Sequence, residues 1–146
     1  MPNYNNTSIF DPVLCELMYR WFCPENGLVI DPFAGGSVRG IVANYLGYKY
    51  TGIELRQEQV NSNREQALNI LEVNNQPQWY IGDSEQILND LNPEYDFAFT
   101  CPPYFNLEVY SDLDDDLSTM TYSDFLLKYE AIIIKTISKL KNDCFF

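Results

Sequence analysis

Apolar positions along the chain fall into two alternating patterns, short continuous runs and longer stretches at helical spacing, and each run ends where turn-forming residues begin. The segment DPVLCELMYRWF opens with Asp11 as a helix N-cap and Pro12 at the first helical position. Leu14, Leu17, Met18 and Trp21 recur along it at helical spacing. The run Leu28 to Asp31 reads as a strand that ends on a carboxylate and enters the Gly-rich loop PFAGGSVRG. A helix follows through Val42, Ala43 and Leu46, and Gly47 closes it. Tyr48 to Ile53 reads as a second strand ending at Glu54, before a polar helix with Val60, Ala67, Leu68 and Leu71 on one side and Pro77 at its exit.

Gln78 to Ile81 forms a third strand, which stops at Gly82-Asp83-Ser84. Asp83 or Ser84 then caps a helix carrying Ile87, Leu88 and Leu91, which Pro93 ends. A fourth strand, Tyr95 to Thr100, runs into Cys101-Pro102-Pro103-Tyr104, where two prolines forbid both strand and helix. After an acidic stretch, Tyr122 to Lys141 places Phe125, Tyr129, Ile132, Ile133, Thr136, Ile137 and Leu140 on one helical stripe, and residues 143–146 open a fifth strand.

Strands alternating with helices predict an α/β fold: a doubly wound parallel sheet with helices on both faces. With 146 residues there is room for one domain and one core, and neither a linker nor a repeat interrupts it. Hydrophobic residues at 46% and aromatics at 15% supply that core and exclude a disordered polymer. Trp21, Phe22, Phe97, Phe99 and Phe125 are assigned to it, as are the thiols Cys15, Cys23 and Cys144.

The formal charge of −12, with 9 Lys+Arg, opposes unaided attraction to a phosphate backbone. The four cysteines have no paired short spacing and there is no His, so no metal site is expected and the thiols read as reduced. The N-terminus MPNYNNTSIF has no basic segment followed by an apolar run. No stretch approaches the ~18 apolar residues of a membrane span, and a cytoplasmic location is expected.

In a doubly wound sheet a ligand sits beyond the carboxyl ends of the strands, where the strand order reverses. Each of those ends carries chemistry here. Ala34, Gly35, Gly36 and Ser37 permit close backbone approach at a helix N-terminus. Glu54 follows Asp31 by 23 positions, the interval at which a carboxylate ending the second strand grips a ribose diol. No Lys-Ser or Lys-Thr follows the glycines, which argues against a phosphate loop. Taken alone, the glycines equally describe a plain strand-to-helix turn; Glu54 tips the balance. Asp112, Asp114, Asp115 and Asp116 read as a solvated loop, without the Gly and Glu offsets of a calcium site.

Together DPFAGGSVRG, Glu54, Gly82–Ser84 and Thr100–Tyr104 resemble the DNA methyltransferases that act on an exocyclic amino group of a base. The resemblance runs from about residue 8 to 146, and CPPYFNLEVYSD is similar to methylases of phages and prophages. It implies a Rossmann-like methyltransferase fold lacking its C-terminal strands, with S-adenosylmethionine as cofactor. By that resemblance Phe10, Asp11, Asp31, Pro32, Phe33, Ala34, Gly35, Gly36 and Ser37 surround the methionine part. Glu54 takes the ribose, Asp83 and Ser84 the adenine, and Leu55 is a further cofactor contact. Two positions depart from the family pattern: Ser37 stands for its second glycine, and Cys101 for Asp, Asn or Ser.

The family resemblance makes residues 101–104 the catalytic turn. A conjugated exocyclic amine is a poor nucleophile, so a site must accept both of its N–H bonds. The Pro102 carbonyl supplies one acceptor, position 101 the other, and Pro103 stiffens the turn. Tyr104 stacks on a base swung out of the duplex. Ser being nearest to Cys in size hints at cytosine, while adenine stays open. Two further readings also stay open: an RNA or protein-amide acceptor, and a cofactor-binding module silent without a recognition partner. The expected DNA substrate would be gripped through a partner or a region outside this chain, as in restriction–modification systems.

Overall fold

The computed structural model describes residues 9–92, 94–105, 109, 111, 113 and 115–146. The expected helix-ending role of Pro93 and the acidic-loop positions Asp112 and Asp114 lie outside the described residues. Along the chain the elements are α1 (Pro12–Phe22), β1 (Leu28–Asp31), α2 (Val38–Tyr45), β2 (Lys49–Glu54), α3 (Gln57–Ile70), β3 (Gln78–Ile81), α4 (Ser84–Asp90), β4 (Tyr95–Ala98), a single 3-10 turn (Leu117–Thr119), α5 (Tyr122–Ser138) and β5 (Leu140–Phe145).

The five strands form one sheet in the order β3-β2-β1-β4-β5, and every pairing is parallel. The alternation of side chains along each strand separates two cores. Val29, Tyr50, Trp79 and Phe97 join Cys15 and Tyr19 of α1, Ala43 of α2, and Val60 and Ala67 of α3. Ile30, Ile53 and Ala98 face the other way, onto Leu88 of α4 and Phe125 and Ile132 of α5. This is the doubly wound arrangement with helices on both faces that the sequence predicted.

Several expectations change in detail. Asp11 caps α1 by accepting from Val13 N at 2.8 Å and Leu14 N at 3.4 Å. The face this helix turns inward, however, is that of Cys15, Tyr19 and Phe22, whereas Leu14, Leu17 and Trp21 remain exposed. The predicted Trp21–Phe22 core pair is thus half correct: Phe22 stacks on Phe97, and Trp21 stands 66% exposed. On α3, Val60, Ala67 and Leu71 are buried, but Leu68 points to solvent and Asn63 takes its place on the inner face.

The stripe on α5 is narrower than expected. Phe125, Ile132 and Thr136 are buried while Ile137 is exposed, because one sheet face covers only about 100° of a helix. That helix ends at Ser138, so β5 begins at Leu140 rather than at residue 143. Strand β4 stops at Ala98, two residues short of Thr100, although Phe99 N still donates to Ile30 O at 3.1 Å. Cys15 and Cys23 are buried; Cys144, expected to be buried, is only half covered on the edge strand. No helix among the described residues is long and apolar enough to cross a membrane.

Candidate cofactor and acceptor site

The chain reverses its winding between β1 and β4, and the crevice there opens into a cavity of about 1250 Å³. That exceeds the ~300–1,000 Å³ of ordinary small-molecule sites. From the loop after β1, Pro32, Phe33, Gly35, Gly36 and Ser37 line it, with Phe10 from the segment before α1. Glu54 and Leu55 at the end of β2, and Asp83 and Ser84 at the start of α4, form a second wall. The turn Cys101, Pro102, Pro103 and Tyr104 closes the third side, with Cys101 exposed and Tyr104 60% exposed. All four catalytic candidates therefore share one cavity with most of the cofactor candidates.

Three predicted residues do not line this space. Asp11 is occupied as the α1 cap on the surface. Ala34 is fully buried with its methyl turned inward, against Gly52, where an added Cβ would come within 2.9 Å; only glycine fits at 52. Asp31 has no exposed surface at all, and four donors surround its carboxylate. Oδ2 accepts from Arg39 Nε at 2.6 Å and from the Tyr50 hydroxyl at 2.7 Å. Oδ1 accepts from the Thr100 hydroxyl at 2.6 Å and from Phe33 N at 3.1 Å. A carboxylate so fully engaged cannot touch a ligand. It organises the loop from below, contrary to its expected place in the ligand shell.

Arg39, in the first turn of α2, answers that charge. Its Nη2 donates to Phe33 O at 2.8 Å and Ala34 O at 2.9 Å, and its guanidinium lies 4.8 Å from the centre of the Phe10 ring. Burial opposes the positive charge, but Asp31 and the Tyr50 oxygen outweigh burial and hold the guanidinium protonated beyond its usual range. The loop is anchored elsewhere too. Ala34 N donates to Ile53 O, Gly35 N to Glu54 Oε2 at 3.0 Å, Asn63 Nδ2 to Gly35 O at 2.7 Å, and the Ser84 hydroxyl to Pro32 O. Every backbone N–H and carbonyl from Phe33 to Gly35 is thereby paired.

Gly35 makes the turn at φ +52°, and a Cβ placed on Gly35 or Gly36 would project into open space. These positions leave the cavity unobstructed at the N-terminus of α2, whose first amides have no intrahelical partner. Ser37, the departure from the family glycine, sits at φ −74° with its hydroxyl donating to Gln66 Oε1 at 2.6 Å. The backbone there demands no glycine, and the hydroxyl is bound to α3 at the cavity wall.

Opposite the loop, Asp83 caps α4 by accepting from Glu85 N at 3.0 Å, and its second oxygen lies 3.2 Å from Lys128 Nζ. Lys128 also pairs with Asp115 at 2.8 Å, so one ammonium on α5 joins the α4 N-terminus to the acidic segment. Partial burial works against this ammonium, yet hydrogen bonds and charge from Asp115 and Asp83 raise its affinity for the proton. Glu54 keeps its other oxygen on Arg56, from Arg56 N at 3.0 Å and Nε at 3.3 Å. Arg39 and Lys128 were not anticipated as parts of the site, and Thr100, quoted with the 100–104 motif, was given no role in it. Of the first two, only Arg39 left a trace in the sequence, as a lone charge on the apolar side of VRGIVA.

Residues 8–65 match the DNA methylase family. No curated protein matches the chain. Among solved structures, TrmN from Thermus thermophilus is 18% identical with a TM-score of 0.67, over 90% of this chain and 36% of that one. The SAM-dependent methyltransferase from Agrobacterium tumefaciens is 16% identical with a TM-score of 0.69, over 99% of this chain and 45% of that one. An rRNA methylase from Streptococcus thermophilus is 12% identical with a TM-score of 0.60, over 91% of this chain and 66% of that one. The chain thus spans roughly a third to two thirds of the length of these structures. On a chain with the methyltransferase fold, residues 8–65 carry the sequence pattern of the DNA methylase family.

Proposed function

We propose that this domain binds S-adenosylmethionine in the cavity at the sheet's reversal point and methylates the exocyclic amino group of adenine or cytosine in DNA. The observation that carries the reading is the convergence of the Gly35–Ser37 loop, Glu54, Asp83 and the Cys101–Tyr104 turn on one cavity. The DNA methylase match of residues 8–65 and the similarity to a SAM-dependent methyltransferase support it.

The residues present fit the cofactor. The open space above Gly35 and Gly36 admits an amino-acid group, and the free amides at the start of α2 suit its carboxylate. Glu54, at the cavity wall with Oε2 engaged only by Gly35 N, would accept from a ribose hydroxyl through the remaining lone pair of that oxygen. Asp83 and Ser84 flank the place for the adenine, with Leu55 against its ring. When bound, the cofactor supplies an electrophilic methyl group on a sulfonium.

The protein's task on the acceptor side is to position a weak nucleophile. The Pro102 carbonyl and an acceptor at position 101 would hold the two amino N–H bonds, leaving the lone pair directed at the methyl group. The Cys101 thiol is a poor acceptor, so its backbone carbonyl or a water takes that part. Tyr104, exposed at the cavity mouth, would stack on the extruded base. The net charge of −12 disfavours an unaided grip on the DNA backbone and so favours a basic partner for that task. The similarity to an rRNA methylase favours a second reading, in which the same turn holds a base of RNA.

Calorimetric titration of S-adenosylmethionine into the protein tests the first half of this reading. Binding is expected without nucleic acid, and a folded protein that takes up none defeats the proposal. For the second half, Tyr104→Ala is expected to lower the methylation rate on DNA by about 5–150-fold, the equivalent of ~1–3 kcal/mol of base stacking. An unchanged rate removes the stacking role.

A further inference from the structure

Thr100 occupies a place that the reading above does not use. Its hydroxyl donates to Asp31 Oδ1 at 2.6 Å and accepts from Phe33 N at 3.2 Å, while its main chain leads directly into Cys101. Asp31 in turn fixes Arg39, whose Nη2 holds the carbonyls of Phe33 and Ala34. One buried carboxylate therefore touches both sides of the cavity: the loop assigned to the cofactor and the turn assigned to the acceptor.

The end of the strand gives this link its place. Ladder pairing of β4 ends with Phe99 N on Ile30 O, and the two prolines after Cys101 bring no amide of their own. At the start of the turn, between Phe99 and the exposed Tyr104, the Thr100 hydroxyl makes two hydrogen bonds to the loop after β1.

We infer that Thr100 is a positioning residue, whose hydroxyl sets the acceptor-side turn at a fixed distance from the cofactor-side loop by sharing Asp31 with Arg39. It acts through the turn and does not touch the reacting atoms. The inference rests on the proposed methyl transfer for its kinetic consequence, but its structural claim concerns the chain alone. A displacement of about 1 Å between reacting groups costs on the order of 100-fold in rate, so even a small shift of residues 101–104 is measurable.

The test compares Thr100→Val, which keeps the shape and removes the hydroxyl, with Thr100→Ser, which restores it. In the full protein, Thr100→Val is expected to lower kcat about tenfold or more, with the S-adenosylmethionine Kd and the DNA KM changed by less than about threefold. Thr100→Ser should return kcat to within about threefold of the parent. A second readout needs neither cofactor nor DNA. Iodoacetamide labelling of Cys101, followed by peptide mass spectrometry, should run at least about threefold faster in Thr100→Val and at the parent rate in Thr100→Ser, since freeing the turn exposes the thiol further.

Unchanged labelling and unchanged kcat in Thr100→Val overturn the inference. So does a Kd that weakens by the same factor as kcat, which would place the effect on the loop alone. Failure of the parent protein to bind S-adenosylmethionine would instead count against the proposed function. The labelling comparison would still decide the role of Thr100.

Discussion

Arg39 Nε lies 2.6 Å from Asp31 Oδ2, with side-chain exposures of 6% and 0%, and the pair forms directly beneath the loop that shapes the cavity. Removing one member of a buried ion pair leaves the other charge uncompensated, at a typical cost of about 3–5 kcal/mol. Asp31→Asn and Arg39→Met are each expected to lower unfolding free energy in that range, and the double variant by less than their sum. Urea denaturation of the two single variants and the double variant measures the coupling. Strict additivity would mean that the contact contributes nothing.

Glu54 offers a sharper separation of roles, since Gly35 N and Arg56 already rest on its two oxygens. A glutamine keeps an acceptor for Gly35 but loses the charge; an alanine loses both. Hydrogen bonds to charged groups contribute about 1.5–3 kcal/mol, so Glu54→Ala should weaken S-adenosylmethionine binding by roughly 10–150-fold. Glu54→Gln is expected to fall between the parent and the alanine variant. Calorimetry that finds glutamine equal to the parent would reduce Glu54 to a loop support.

Burial pushes the thiols of Cys15 and Cys23 up to about 12 from an ordinary 9.0, with Asp31 acting in the same direction at Cys15 and Asp96 at Cys23. Between those limits the unfolded chain releases protons that the folded chain retains, so rising pH favours unfolding. Stability from these groups is fully present below pH 9 and declines as pH rises toward 12. Replacing both with alanine should flatten the slope of unfolding free energy between pH 9 and 10.5, measured by urea titration at each pH.

The frame of the molecule was legible because each element is announced locally. The LVID run, the Asp11-Pro12 cap and the Asp83 cap each appear where the sequence places them. What escaped was long-range chemistry. Asp31 was expected in the ligand shell because its sequence neighbours are there, but three of its four hydrogen bonds go to residues 8, 19 and 69 positions away. No local pattern reveals such partners. The misplaced residues on α1 and α3 have a related cause: Leu14, Leu17 and Leu68 satisfy helical spacing, but the orientation of a helix depends on the surface it meets, here one built around Tyr19 and Asn63.

The closed pairing of the backbone from Phe33 to Gly35 bears on how a ligand would be received. A segment whose amides and carbonyls are already bonded to Arg39, Ile53, Glu54, Asn63 and Thr100 has lost its freedom during folding, before any ligand arrives. Association at this wall then carries little further ordering cost. The recognising groups that remain lie past Gly35, at the head of α2, so the loop works as a finished mould with one open edge.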